Sequence, residues 1–272
     1  MTPTEMAIAR LRRDLTLTSL VKILLFAAAL FSFFIETIFG QHVIAPSLAL
    51  SAIAIVWILL SYRSMKGTRL AALSPALIAT GQFEQAEQHL DLALRSFSLF
   101  RTVKLRTLHY LALLRHAQRR YAESALLCHT LLSQRLGNIS DLTRSTQLIL
   151  ADSLLELGDL PGTYHALSSL YQHHLSLPEA LELLAIQTDY LSRIGAWQDI
   201  LTGLPRKLQL AELMPSQKSA RTQALLALAA RKTNRSDWES YLRRRVELLA
   251  DIPELLASRP LLADLWPTKP NP

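Results

Sequence analysis

The chain of 272 residues contains one cysteine, Cys128, which excludes an internal disulfide and any cysteine-based zinc site. Glycine is scarce, with 8 in the whole chain, and no stretch alternates apolar and polar residues for long. Both shortages point away from β-structure and toward an all-α fold. Charge is thin as well: charged residues make up 19% against 50% hydrophobic, which is apolar for a soluble protein. The signatures of chemistry are also missing. There is no HExxH, no paired-carboxylate helix motif and no EF-hand loop. There is no Walker glycine loop, no dinucleotide fingerprint and no Gly-x-Ser-x-Gly. Eight histidines do not supply a metal site. His173 and His174 are adjacent and cannot both ligate from one helical face, and His109 and His116 have no carboxylate set to complete a shell. The expectation is a protein that is not an enzyme and holds neither metal nor cofactor.

What is present falls into two unlike regions. The run 43–62, "VIAPSLALSAIAIVWILLSY", has no charge and is long enough to cross a bilayer, with Trp57 and Tyr62 toward one end. The preceding run, "SLVKILLFAAALFSFFIETIFG", is interrupted by Lys22 and Glu36. These stand roughly 21 Å apart along a helix, so each can reach an opposite interface. A cleaved signal peptide is the competing reading, since Arg10, Arg12 and Arg13 precede the apolar run; no small-x-small site ends it. The expected organisation is a cytoplasmic segment 1–19 and a transmembrane helical hairpin 20–62. Arg10, Arg12, Arg13 and Lys22 precede the first span, Arg63, Lys66 and Arg69 follow the second, and the connecting "GQHVIAPS" has no lysine or arginine. Both ends are therefore expected in the cytoplasm, and an inner membrane of a prokaryote suits so short a hairpin. Small residues recur four apart, Ala28 with Ser32, Ala45 with Ala49 and Ser47 with Ser51. They suit close packing within the hairpin or against a partner's transmembrane helix.

The remainder repeats. "GQFEQAEQHLDLAL" places Gly81, Phe83, Ala86, Leu90 and Ala93 as on a helix packed against its predecessor. "RRYAESALLCHTLL" puts Tyr121, Ser124, Cys128 and Leu131 in the same register, which makes Cys128 a core residue. "GDLPGTYHALSSLY", "GAWQDILTGL" and "SDWESYLRRRVELL" follow, the last with Arg245 at a usually apolar place. The turn residues 83, 121, 160, 197 and 238 are separated by 38, 39, 37 and 41 positions, and each motif follows an apolar helical run. That predicts about five helix-turn-helix units over 67–250, whose stacking buries a continuous core and leaves a concave groove suited to peptides.

These motifs resemble the tetratricopeptide repeat family, best at Gly81, Phe83 and Ala86, at Gly158 with Leu160, and at Gly195 with Trp197. The family's helix A glycine is replaced here by Ser74, Ala112 and Ala151. The resemblance implies an α-solenoid whose groove is lined mainly by helix A, which carries Arg106, His109, His116, Asp152, Asp189 and Arg193 to it as candidate protein contacts. The family's carboxylate clamp is not matched, since the first unit has Ala71 and Pro75 in that region.

The formal charge of +7 suits anionic surfaces as well as topology and solubility. Its densest late cluster, Arg231, Lys232, Arg235, Arg243, Arg244 and Arg245, is a candidate face for membrane lipid headgroups. Nucleic acid is not expected, because interleaved stacking aromatics are absent. The segment 251–272 has three late prolines and is expected to cap the last unit through Leu261, Leu262, Leu265 and Trp266 before a Pro-rich tail. It is also readable as a short linear motif. Two functions fit: a membrane-anchored scaffold that binds a protein at the cytoplasmic surface and serves assembly of a larger complex, or a permanent subunit docked through its hairpin.

Overall fold

The computed structural model describes residues 3–39, 44–96, 98, 100–134 and 140–266, and within these the side chains of all but 3, 32, 35–39, 44–50, 63, 66 and 140. The fold is all-helical, with thirteen α-helices and one 3-10 helix and no strand among the described residues. It divides into two compact units, Met1–Ser153 and Leu154–Pro272.

The first unit holds α1 (Pro3–Phe39), α2 (Ile44–Ala79), α3 (Phe83–Arg95), α4 (Arg101–Ala117), α5 (Tyr121–Ser133) and all but the last turn of α6 (Ser140–Glu156). α2 packs on α3, α4 on α5, and α4 also lies against α2 and α3. α3 shows why. Ala86, Leu90, Ala93 and Leu94 form one buried stripe, while the facing side of the helix is charged. Cys128 is fully buried on α5 beside Leu127 and Leu131, and burial pushes its thiol up to about 12, so it is an inert core residue.

The two longest helices each have a double character. Residues 4–18 of α1 are not a loose leader: Thr4, Ala7, Leu11 and Thr18 are buried, and the helix lies against α2, α3, α4 and α5. The ties are largely polar. Thr4 donates to Glu123 at 2.5 Å, Arg10 pairs with Asp91 at 3.3 Å, and Asp14 pairs with Lys104 at 2.8 Å. Lys104 is 2% exposed and donates to the Leu94 and Ser96 carbonyls, 2.6 Å each, at the end of α3. Past residue 18, α1 turns its apolar side chains outward, among them Leu20, Ile23, Leu24, Phe26, Phe31 and Phe34. α2 mirrors this, with Ile55, Ile58, Leu59 and Tyr62 exposed and Ser64, Ala71, Ser74 and Ile78 buried in the same unbroken helix. Among the described residues one stretch, Thr4–Phe31, is long and apolar enough to cross a membrane, and 6% of its most apolar window is buried.

Five helix ends close in one conformation. Gly81, Arg119, Gly158, Gly195 and Asn234 all have positive φ, between 59° and 79°. In each, the left-handed residue donates its N–H to the carbonyl three residues back, and the next N–H reaches five back. This is the Schellman closure that lets a chain leave one helix and start another two residues later. The intervals are 38, 39, 37 and 39 residues. The fifth differs from expectation: α12 (Ser236–Leu249) begins two residues after Asn234, so Ser236, not Trp238, stands level with Phe83 and Tyr121.

The second unit holds α7 (Leu160–Leu170), α8 (Leu177–Arg193), α9 (Trp197–Leu201), α10 (Leu204–Glu212), α11 (Ser216–Lys232), α12, α13 (Ile252–Ser258) and a 3-10 helix, Pro260–Asp264. α11 is its axis, buried continuously from Thr222 to Ala230 and packed against α8, α9, α10, α12 and the 3-10 helix. Its alanines keep the helix thin enough for neighbours on all sides. The helix expected to run through "GAWQDILTGL" is broken: Gly203 adopts φ 68° and Pro205 sits in the first turn of α10, so Leu204 opens a new helix. At the far end Leu255, Leu262 and Leu265 join the core, Trp266 packs against it and donates to Glu247 at 2.9 Å, and Leu261 is exposed.

Candidate interaction surfaces

In the first unit, α4 occupies the place expected of helix A in the second repeat. Arg106 is exposed on it and makes no ion pair among the described residues. His109, one turn on, is buried, and its Nδ1 lies 3.0 Å from the Thr146 hydroxyl on α6. Burial pushes His109 down to about 4, so the ring is neutral at physiological pH and joins two helices. His116 packs edge-on against Tyr121 and places Nε2 3.0 Å from the Asp152 carboxylate of α6. Alongside, Arg115 is almost buried and bonds Glu87 at 2.6 Å and Gln118 at 2.7 Å. The Arg115 hydrogen bond holds Glu87 below the usual carboxylate range.

In the second unit, Asp189 and Arg193 of α8 belong to a five-membered charged cluster. Asp189 is 2% exposed; it accepts from Arg221 of α11 and from Arg259 at 3.1 Å, and forms an ion pair with Arg193 at 3.5 Å. Glu156, at the end of α6, accepts from Arg259 through both oxygens and from Arg221 at 3.4 Å, and forms an ion pair with Arg193 at 3.6 Å. Arg193 also donates to the Leu155 carbonyl at 2.5 Å. Three guanidiniums thus enclose two carboxylates, and every member has a partner inside the unit. The repeat register singled out Asp189 and Arg193 but not Glu156, Arg221 or Arg259. Glu156 was within reach of the same reasoning, because it stands two residues before its turn, as Arg193 does before Gly195.

The basic residues at the end of the chain are partly spoken for. Arg231 donates to the Asp264 carbonyl, and Lys232 bonds the Asp264 carboxylate at 2.6 Å and holds its pKa down. Arg243 pairs with Glu247 at 3.6 Å, and Arg245 with Glu212 and the Tyr241 hydroxyl, each at 2.8 Å. Arg235 and Arg244 are exposed and make no ion pair among the described residues.

One surface had no sequence signal. Tyr164 of α7 stacks on Tyr190 of α8, centroids 6.4 Å apart and 30° from parallel, with Tyr164 itself exposed. Tyr171 is exposed too, and its hydroxyl is raised by burial and then by the other two tyrosines. Exposed Leu177 lies at the start of α8. In the apolar hairpin, Ala28 is half-buried and Ser51 exposed, while the side chains of Ser32, Ala45, Ser47 and Ala49 lie outside the described ones. Among the described residues no group of three or more His, Cys, Asp or Glu side chains is arranged to hold a metal.

No protein-family model matches the chain, and no curated protein or solved structure is significantly similar to it.

Proposed function

We propose that this protein is a two-span, membrane-anchored scaffold whose tetratricopeptide-like repeats hold a protein partner at the cytoplasmic face of the membrane. The observation that carries the reading is the double character of α1 and α2. Each runs without a break from an outward-facing apolar segment into a segment packed with the repeats. Exposed apolar length of that kind is stable in lipid and costly in water. The lysine and arginine distribution sets both ends inside. Anchoring raises the effective concentration of a weak groove toward any partner confined to the same surface, so modest contacts suffice. The exposed Arg106 in the first unit and the Tyr164–Tyr190 stack in the second are the side chains with most freedom to meet one.

A permanent subunit of a membrane complex is the second reading. It is favoured by the charged residues on the helix A faces, because His116, Asp152, Asp189 and Arg193 are already engaged within the chain.

The deciding experiment is co-purification of the full chain from gently solubilised membranes, with a salt series and with the variants Arg106→Glu and Tyr164→Ser. A partner released by salt or by either variant supports the scaffold. A partner held at constant ratio through all of them supports the fixed subunit. Extraction of the chain by alkaline carbonate, as a peripheral protein, overturns both. Deleting 1–67 is not an equivalent test, since it strips Thr4, Ala7, Leu11 and Asp14 from the packed unit.

A further inference from the structure

The two apolar segments do not close on each other along their whole length. Between them lies an open groove of about 730 Å³, lined on α1 by Phe26 and Ala29 and on α2 by Ile53, Ala54 and Trp57. Lys22 stands at one end and is the only charged residue in the lining among the described residues. Its ammonium makes no hydrogen bond or ion pair among the described residues. The remaining wall offers hydrocarbon.

We infer that this slot binds an anionic phospholipid, one acyl chain lying between α1 and α2 and the phosphate paired with Lys22. The inference rests on the two-span reading above. Three observations select this occupant. The slot covers residues 22–29 of α1, roughly 10 Å of helix, which is too short to seat a partner's transmembrane helix of about 30 Å. It suits the upper part of an acyl chain. The charge stands at one end of the slot, as a headgroup ligand must, and the positive-inside orientation puts that end toward the cytoplasmic leaflet, where anionic lipids and basic interhelical pockets meet. Finally, Trp57 brings an aromatic ring to the same wall, the side chain most at home where acyl chain gives way to glycerol.

The test uses the full chain in mild detergent, titrated with dioleoylphosphatidylglycerol or dioleoylphosphatidylcholine and followed by native mass spectrometry. The wild type is expected to retain one phosphatidylglycerol in preference to phosphatidylcholine. Lys22→Gln should weaken phosphatidylglycerol retention about fivefold while leaving phosphatidylcholine unchanged. Ala29→Trp, which fills the slot, should abolish retention of the bound lipid. Equal retention of the two lipids by the wild type overturns the inference, as does a Lys22→Gln protein with undiminished preference or a stoichiometric polypeptide found in place of lipid. If Ala29→Trp does not fold, Lys22→Gln decides alone. Alkaline carbonate extraction separates the two levels. A chain released from membranes defeats the anchor reading itself, whereas an embedded chain without lipid preference defeats only the slot.

Discussion

Both units are fastened by a charged side chain from a terminal segment, but they place the charge oppositely. In the first, the body of the unit supplies the buried cation, Lys104, and α1 brings the carboxylate of Asp14 to it. In the second, the body supplies the carboxylates, Glu156 and Asp189, and Arg259 comes in after α13. Lys104 also donates to two backbone carbonyls, so it finishes the end of α3 as well as an ion pair. Asp189 instead serves three arginines and, among the described residues, no backbone group. The first arrangement should survive loss of its terminal partner, Asp14, better than loss of its centre, Lys104. So should the second, and the comparison can be broken by asking whether both do.

The largest effect is expected at Asp189. Asp189→Ala leaves three guanidiniums around Glu156 alone and should cost about 3–5 kcal/mol in denaturant unfolding of the full chain. Arg259→Ala should cost clearly less, because Arg193 and Arg221 still serve both carboxylates; equal costs would show the segment, not the centre, to be decisive. Next is acid. His109 binds its proton at about 4 in the folded chain and near 6.5 when unfolded, so the unfolded state takes up more protons between those values. The stability this neutral ring contributes is complete above pH 6.5 and is lost as pH falls toward 4, by up to about 3 kcal/mol. Thermal melts across that window should lose part of their slope in His109→Leu.

Lys104→Met strands two carbonyls and should cost about 2–3 kcal/mol, while Asp14→Asn should cost less by the same assay. Gly67 on α2 has Ser96 where its Cβ would fall, so Gly67→Val should cost about 1–2 kcal/mol. The smallest change is a gain. Arg119→Gly places the residue that prefers a left-handed turn where φ is 60°, and should stabilise by about 0.5–1 kcal/mol in the same melts.

The helical class and most of the turn rhythm were legible because glycine marks three of the five left-handed closures, at 81, 158 and 195. Arg119 adopts the same φ without glycine, and there the register survived only because Tyr121 follows it. At the fifth turn the aromatic misled. Asn234 carries the left-handed φ, a residue second only to glycine in tolerating it, and a weight on asparagine would have put the start at Ser236. The break at Gly203 was also written in the chain, as glycine followed by Pro205, but repeat periodicity overruled it. For the surfaces, the expected register pointed to Asp189 and Arg193 as groove contacts, and the structure shows them in a charged cluster within the unit. The register had no means of finding Arg259, which lies beyond the last expected repeat, or Asp14, whose neighbours Arg10, Arg12 and Arg13 read as topology signals and so masked the buried stripe of Thr4, Ala7, Leu11 and Thr18 on the same helix.

The unbroken course of α2 has a mechanical consequence if its first part spans the bilayer. A rigid rod pivoting in lipid works as a lever. The twelve residues from 63 to 74, ahead of Pro75, extend about 18 Å beyond the apolar stretch, so a 10° change in tilt moves their far end by roughly 3 Å. Tilt itself follows local bilayer thickness. A partner resting on that end would feel a thinner or thicker membrane as a displacement, without any joint in between to absorb it.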